Sequence, residues 1–260
     1  MKQLNWYQIF GQTHTIPDGS TVTPTDDVQI LLNCANIWDK AYTTIADLLS
    51  DTTSLLAVIV DNNAINYLVR STTFASSVTA DATAMTDIGG DNYASNTLLG
   101  DSTWCTAICN STYFESVLNV KVPAMTSNTT PEGVCSATSV YTYGGDSFPA
   151  YLAFDGNEST RWIGISFPNT VYYEFTEVVK IFAFTYKGDS VNNTAKDMAL
   201  VDGSNTVLES FTADNVAEVQ KFVLSSPASL TKFGLKIINP YGGASNAAAK
   251  VLQFYGRADV

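Results

Sequence analysis

The residue types that do chemistry are sparse in this 260-residue chain and poorly spaced for it. Four cysteines stand at Cys34, Cys105, Cys109 and Cys135, and His14 is the single histidine. Zinc sites take Cys and His in closely spaced pairs, and only Cys105 and Cys109 are near neighbours. Four residues apart on a helix, those two thiols share one face, which suits small core side chains. A glycosidase needs two placed carboxylates, one with a raised pKa. The carboxylates here fall mostly where helix caps and turns explain them. The chain holds no nucleophile motif. The expectation is a non-enzymatic protein with no catalytic residues and no cofactor.

Composition narrows the partners. Hydrophobic residues make up 45% and charged ones 15%, which describes a folded chain. With 25 acidic against 13 basic residues, the net charge of -12 repels nucleic-acid phosphates and anionic membranes. The start, Met1-Lys2-Gln3-Leu4-Asn5-Trp6, lacks the apolar run of a signal peptide. No stretch approaches the ~20 apolar residues that span a bilayer. The expectation is a soluble protein made in the cytosol, with no nucleic-acid partner and no membrane insertion. Sequons such as Asn128-Thr129-Thr130 then read as chance matches.

The elements that must position any site divide the chain. Residues 1–24 read as an N-terminal arm or hairpin around the turn signal Pro17-Asp18-Gly19. Over 25–50, Val28, Leu31, Leu32, Ala35, Trp38, Ala41, Ile45 and Leu48 recur at steps of three and four. That spacing predicts one long amphipathic helix, capped by Thr25-Asp26-Asp27. Its seam would pack on the next segment or on a copy of itself.

Residues 51–122 carry a ten-residue period. Asp51, Asp61, Ser71, Asp81, Asp91, Asp101 and Ser111 form one column. Val58, Leu68, Val78, Ile88, Leu98, Ile108 and Leu118 form a second, and Ser54, Ala64, Phe74, Ala84, Ala94, Trp104 and Phe114 a third. Asp and Ser are N-cap residues, so each unit predicts one short helix. The second and third columns lie four apart and share its face. Such a helix is marginal alone, so the units are expected to stack as a helical repeat array. Merging of units into longer helices is the alternative, though Gly89-Gly90 and Gly100 read as breaks.

Residues 123–133, with Pro123, Pro131 and Gly133, read as a linker. From 134 to 260, β-branched and aromatic runs predict strands. They are Tyr172–Phe175, Val178–Tyr186, Lys196–Val201, Thr206–Phe211, Lys221–Leu224, Lys232–Ile238 and Val251–Tyr255, with turn residues between them. The fold class is thus α+β and multidomain: an arm and short-helix array, then an antiparallel β-sandwich of jelly-roll kind.

The run Tyr151-Leu152-Ala153-Phe154-Asp155-Gly156-Asn157-Glu158-Ser159-Thr160-Arg161-Trp162 resembles the early motif of discoidin (factor 5/8 type C, galactose-binding-like) domains. Val178–Phe184, Ala199–Ser204, Lys232–Ile237 and Val251–Gly256 resemble that family's later strands, in the same order. The resemblance implies a module that binds glycans, lipid head groups or proteins through loops at one end. Tyr141, Tyr143 and Tyr241 are loop aromatics able to stack on a sugar. It also implies a structural calcium, with oxygens from Asp155, Asn157 and Thr160. The Glu that usually completes that site stands here as Val251. The alternative is that Asp155-Gly156 makes the turn and Trp162 fills the core.

The decapeptides, with Asp81–Ile88 as the nearest example, resemble repeats of bacteriophage tail and fibre proteins, and Ile37–Thr44 resembles proteins of crAss-like phages. This resemblance implies a virion protein assembled in the host cytoplasm: a head fibre, capsid decoration or tail appendage. Its expected partners are other virion proteins, copies of itself in a homo-oligomer, and host surface glycans. A free carbohydrate-binding module of a non-virion bacterial protein is the other reading.

Overall fold

The structure is a computed structural model. It describes residues 14–15, 21–22, 27–37, 42, 44–190 and 194–258. The chain divides into two compact units, Met1–Val117 and Leu118–Val260. The first is helical and the second is built on an antiparallel sheet. Among the described residues no helix is long and apolar enough to cross a membrane.

In the first unit, β1 (His14–Thr15) pairs antiparallel with β2 (Thr21–Val22). The turn expected at Pro17-Asp18-Gly19 lies outside the described residues, as do the rest of the arm, Thr25, Asp26, Trp38 and Ala41.

The single helix expected over 25–50 is instead two, α1 (Asp27–Cys34) and α2 (Ile45–Ser50). Asn36 takes the left-handed conformation (φ 58), and the Ile37 N–H reaches back to the Leu32 carbonyl at 2.9 Å. That closing bond ends α1. Thr44 then starts α2 with a reciprocal capping box: its Oγ1 accepts from the Asp47 N–H, and Asp47 accepts from the Thr44 N–H. An apolar period continues across such a break, because it records which side faces the core and not where the backbone turns.

Next come α3 (Thr52–Ile59), α4 (Asn62–Leu68), α5 (Ala75–Thr79), α6 (Ala82–Gly90), α7 (Asn92–Gly100), α8 (Ser102–Asn110) and the single turn α9 (Phe114–Val117). Asp51, Asp61, Asp81, Asp91 and Asp101 each accept a first-turn N–H at 2.8–3.2 Å. Each also donates its own N–H to the helix before it. One residue therefore closes one helix and opens the next. Each of the five is extended, so the helices on its two sides do not merge. Ser71 makes no side-chain cap, and a 3-10 turn (Thr72–Phe74) precedes α5. Ser111 accepts from the Tyr113 N–H at 3.0 Å and donates to the Thr79 carbonyl at 2.5 Å.

Gly89, Gly90 and Gly100 lie inside the last turns of their helices and do not break them. Gly89 has another use. A Cβ there would fall 1.8 Å from the Ser116 carbonyl oxygen, so only glycine lets α9 approach α6 this closely. Burial follows four columns: Ala84, Met85, Ile88 and Gly89 in α6, and Trp104, Cys105, Ile108 and Cys109 in α8. Helices touch their successors (α3 and α4, α6 and α7, α7 and α8) and also the third one on (α3 and α6, α4 and α7, α5 and α8, α6 and α9).

The second unit contains β3 (Val120–Lys121), β4 (Val134–Ala137), β5 (Thr142–Tyr143), β6 (Asp146–Ser147), β7 (Trp162–Ile163), β8 (Asn169–Lys187), β9 (Ala195–Asp202), β10 (Val207–Thr212), β11 (Gln220–Pro240), β12 (Ala248–Ala249) and β13 (Val251–Ala258). Strands expected as separate pairs are continuous: Tyr172–Phe175 and Val178–Tyr186 both belong to β8, and Lys221–Leu224 and Lys232–Ile238 to β11. These two long strands serve both layers of the sandwich. The early part of β8 pairs with β4 and with the late part of β11, which continues to β9 and β10. The late part of β8 pairs with the early part of β11 and with β13, which continues to β3. Pairing shifts register at Leu230/Lys232, between the two halves, and at Val223/Ala228 within the early part of β11. Such irregularities bend a strand from one layer into the next.

The core lies between the layers. Phe254 on β13 has its ring 6.1 Å from Phe233 on β11, 6.1 Å from Phe154 and 6.4 Å from Phe184 on β8. Trp162 is fully buried, and its indole N–H donates to the Ser139 carbonyl at 3.2 Å.

Residues 123–133 are not a linker. Val122 and Met125 are buried in the sandwich core, and the Met125 N–H donates to the Phe154 carbonyl at 3.0 Å. The Glu132 carbonyl accepts from the buried Tyr173 hydroxyl at 2.8 Å. Proline, threonine and glycine announce turns, but turns folded onto a core leave the same compositional trace as a tether. The unit boundary accordingly falls at Val117/Leu118.

Candidate functional site

The site is built from a hairpin and the loop beside it, both in the second unit. Strands β5 and β6 are joined by Gly144-Gly145, with φ of 63° and 95°. Left-handed conformations at both central positions make the tight turn that matches strand twist. In a strand, residues two apart share a face. Tyr141 and Tyr143 obey this, with near-parallel rings (7°) and centroids 6.5 Å apart. Phe148 adds a third ring, 6.5 Å from Tyr141 and inclined by 26°. Tyr143 leads the row and is 73% exposed.

The hairpin's base is fixed to β7. The Tyr141 N–H donates to the Ile163 carbonyl at 2.8 Å, and the Ile163 N–H to the Phe148 carbonyl at 3.3 Å. This docking brings Arg161, just before β7, over the Phe148 ring at 5.9 Å, a cation–π contact. Asp146, Ser147, Phe148, Leu152, Thr160 and Arg161 line a shallow cleft of about 330 Å³ here. The β7 strand is itself held by β12, whose Ala248 carbonyl accepts from the buried Tyr186 hydroxyl at 3.0 Å. Burial pushes that phenol up to about 12, partly offset by the hydrogen bond from the Ala195 N–H, with Asp189 adding to the rise.

The loop holding Asp155, Asn157 and Thr160 closes on itself. Asp155 Oδ1 accepts from the Asn157 N–H at 2.9 Å, and Oδ2 from the Thr160 hydroxyl at 2.6 Å. Asn157 accepts from the Ser159 N–H at 3.0 Å, and Gly156 supplies the left-handed residue (φ 71). The three residues expected to share a calcium are thus brought together. Ca²⁺ takes about six to eight oxygens, usually including several carboxylates. Of the three residues only Asp155 is a carboxylate, and both its oxygens already accept hydrogen bonds; Glu158, the other carboxylate of the loop, is paired with Lys187. Among the described residues no three of His, Cys, Asp and Glu lie close enough to hold an ion. Val251 opens β13, pairs with Lys187 and supplies no oxygen from its side chain. The residues present do not fit the calcium that the resemblance implies.

Of the aromatics expected in the loops, Tyr141 and Tyr143 share the platform. Tyr241 does not: its hydroxyl donates to the Ala213 carbonyl at 2.8 Å and its N–H to that of Thr194 at 2.9 Å. Phe148 and Arg161 were not expected. The signal for them was Gly144-Gly145 between Tyr143 and Asp146, a hairpin pattern that folds Phe148 back beside Tyr141.

No protein-family model matches the sequence, and no curated protein matches it. The C-terminal part resembles solved family 32 carbohydrate-binding modules. The module of Clostridium perfringens NanJ, solved with galactose, is 20% identical with a TM-score of 0.42, covering 52% of this chain and 99% of that one. A second C. perfringens module, solved with GalNAc-β-1,3-galactose, is 21% identical with a TM-score of 0.41, covering 47% and 94%. The C-terminal domain of a Bacteroides fragilis chitobiase is 19% identical with a TM-score of 0.42, covering 52% and 99%. The functional reading rests on the residues of the site itself.

Proposed function

We propose that this protein is a non-catalytic surface-binding protein whose sandwich grips carbohydrate at the Tyr143–Tyr141–Phe148 row. The observation that carries the reading is the near-parallel pair of the exposed Tyr143 and the half-buried Tyr141, in a row whose third ring, Phe148, lies under an arginine. Flat aromatic faces accept the apolar faces of sugar rings, and the adjoining cleft supplies polar groups for hydroxyls. Asp146 and Arg161 are the charged groups lining the cleft, one acid and one base, and neither forms a close carboxylate pair suited to glycoside hydrolysis. A glycan array probed with the full chain tests the reading. Binding to at least one sugar class supports it; uniform silence would leave a purely structural protein.

We infer further that the helices act as a stacked ten-residue array that presents the sandwich within an assembly. The reading as a bacteriophage virion component (head fibre, capsid decoration or tail appendage) rests on the sequence resemblance of Ile37–Thr44 and Asp81–Ile88 alone. Light scattering on the purified chain separates it from the free-module alternative. A symmetric homo-oligomer is the virion expectation, and a strict monomer favours the free module.

A further inference from the structure

The segment that brings Arg161 to the site is surrounded by charge. Arg161 is ion-paired with Asp189, in the turn just after β8. Lys250, between β12 and β13, lies 3.6 Å from the same Asp189 carboxylate. Lys187, the last residue of β8, lies 2.5 Å from Glu158 within the loop. The two lysines belong to paired strand ends, since the Lys250 N–H donates to the Lys187 carbonyl at 2.9 Å. The anchor is therefore a fixed edge of the sheet. Side-chain exposure is 26% for Asp189, 21% for Lys250 and 36% for Arg161, so solvent screens the Asp189 pairs only in part, whereas Glu158 opposite Lys187 is 58% exposed and that pair is screened more strongly.

Three cationic side chains stand at this anchor, Arg161 and Lys250 at Asp189 and Lys187 at Glu158, while Asp155 is held by hydrogen bonds from the Asn157 N–H and the Thr160 hydroxyl. A calcium site concentrates uncompensated carboxylates. Here a divalent cation would meet carboxylates already engaged, Asp189 and Glu158 by cationic side chains and Asp155 by hydrogen bonds.

We propose that loop 155–161 is fixed by this ion-pair clamp, with Asp189 as the residue that positions Arg161, and that the loop needs no divalent cation. The clamp ties the loop to two strand ends, while the hydrogen bonds of Asp155 and Thr160 shape it from within. The proposal does not depend on the identity of any ligand, so it stands or falls separately from the carbohydrate reading.

Hydrogen–deuterium exchange on the full chain tests it, comparing peptides over 155–161 with those of α6–α8 as an internal reference. In the unaltered protein, exchange over 155–161 is expected to be the same in EDTA and in added CaCl₂. In Asp189→Asn it is expected to rise roughly two- to fivefold, the scale of a partly screened ion pair, while α6–α8 stay unchanged. Lys250→Met, which removes one of the two cations at Asp189, gives a smaller rise and serves if Asp189→Asn does not fold. Slower exchange with CaCl₂ would overturn the proposal. So would unchanged exchange over 155–161 in both variants.

Discussion

A buried side chain in α6 meets partners about ten or thirty positions away in sequence, whereas Val120 of the sandwich pairs with Gly256 and Cys135 with Tyr173. In the helical unit one local arrangement recurs at five places: an Asp that ends one helix and starts another, followed by four buried positions in the helix it opens or, in α4, three. The sandwich depends on β8 and β11 each being correct along their whole lengths, because both layers share them. A fault in the first unit should therefore stay within one helix and its neighbours. A fault in the second should loosen both layers.

The strongest way to break this comparison is Trp162→Ala. It empties a fully buried site and leaves the Ser139 carbonyl without its indole donor. The expected cost is about 3–5 kcal/mol, with near-UV circular dichroism lost across the sandwich while exchange protection of α6–α8 persists. A cost below about 1 kcal/mol would mean the layers do not share one core.

Alkaline titration is the next test. Burial raises the Cys135 thiol from 9.0, and the Tyr173 and Tyr186 phenols from 10.0, each to about 12. Cys135 and Glu132 add to the rise at Tyr173. These groups are neutral when protonated, and folding holds their protons more tightly. Their contribution is complete below the unfolded pKa values and is lost as pH climbs from about 9 towards 12. In the helical unit Cys34 is raised from 9.0 to about 12, by burial first and Asp61 second. Denaturant melts between these limits should show the sandwich weakening more than the helices. Equal weakening would contradict the contrast.

Within the helical unit, Gly89→Ala should cost about 1–3 kcal/mol, because the Ser116 backbone blocks a methyl group. Gly90→Ala, with open space around it, should stabilise by up to about 1 kcal/mol. Asp91→Ala should cost about 1 kcal/mol by removing the cap to the Ala94 N–H. Ser71→Asp should gain less than about 1 kcal/mol, since that unit alone among these caps lacks a side-chain bond. Urea melts monitored by far-UV circular dichroism rank all four.

What could be read from sequence follows the same divide. The Asp column declares five helix starts, those of α3, α4, α6, α7 and α8, because N-capping is a local interaction. Apart from Cys105 and Cys109, the fifth and ninth positions of the units went unread: apolar Leu55, Ile59, Ile65, Met85 and Leu99 alternate there with Thr79, Gly89 and Ser95, which are buried without an apolar side chain to mark the column. The end of α1 was written in Asn36 and the start of α2 in Thr44 and Asp47, but the apolar period between them concealed both. In the sandwich the strands were legible and their continuity was not. Nothing local in Glu177-Val178 says that β8 passes through into the other layer. Tyr141 and Tyr143 stood out as aromatics. Their partnership with Phe148 and Arg161 follows from docking on β7, a contact between segments distant along the chain.

The carbohydrate reading turns on Tyr143. A sugar identified on the array, titrated calorimetrically into the unaltered chain, Tyr143→Ala and Tyr241→Ala, tests it most directly. The expected result is a roughly fivefold to tenfold weaker Kd for Tyr143→Ala at an unchanged melting temperature, with Tyr241→Ala keeping the original affinity. Equal affinity for Tyr143→Ala and the unaltered chain would remove the aromatic row from binding and contradict the account.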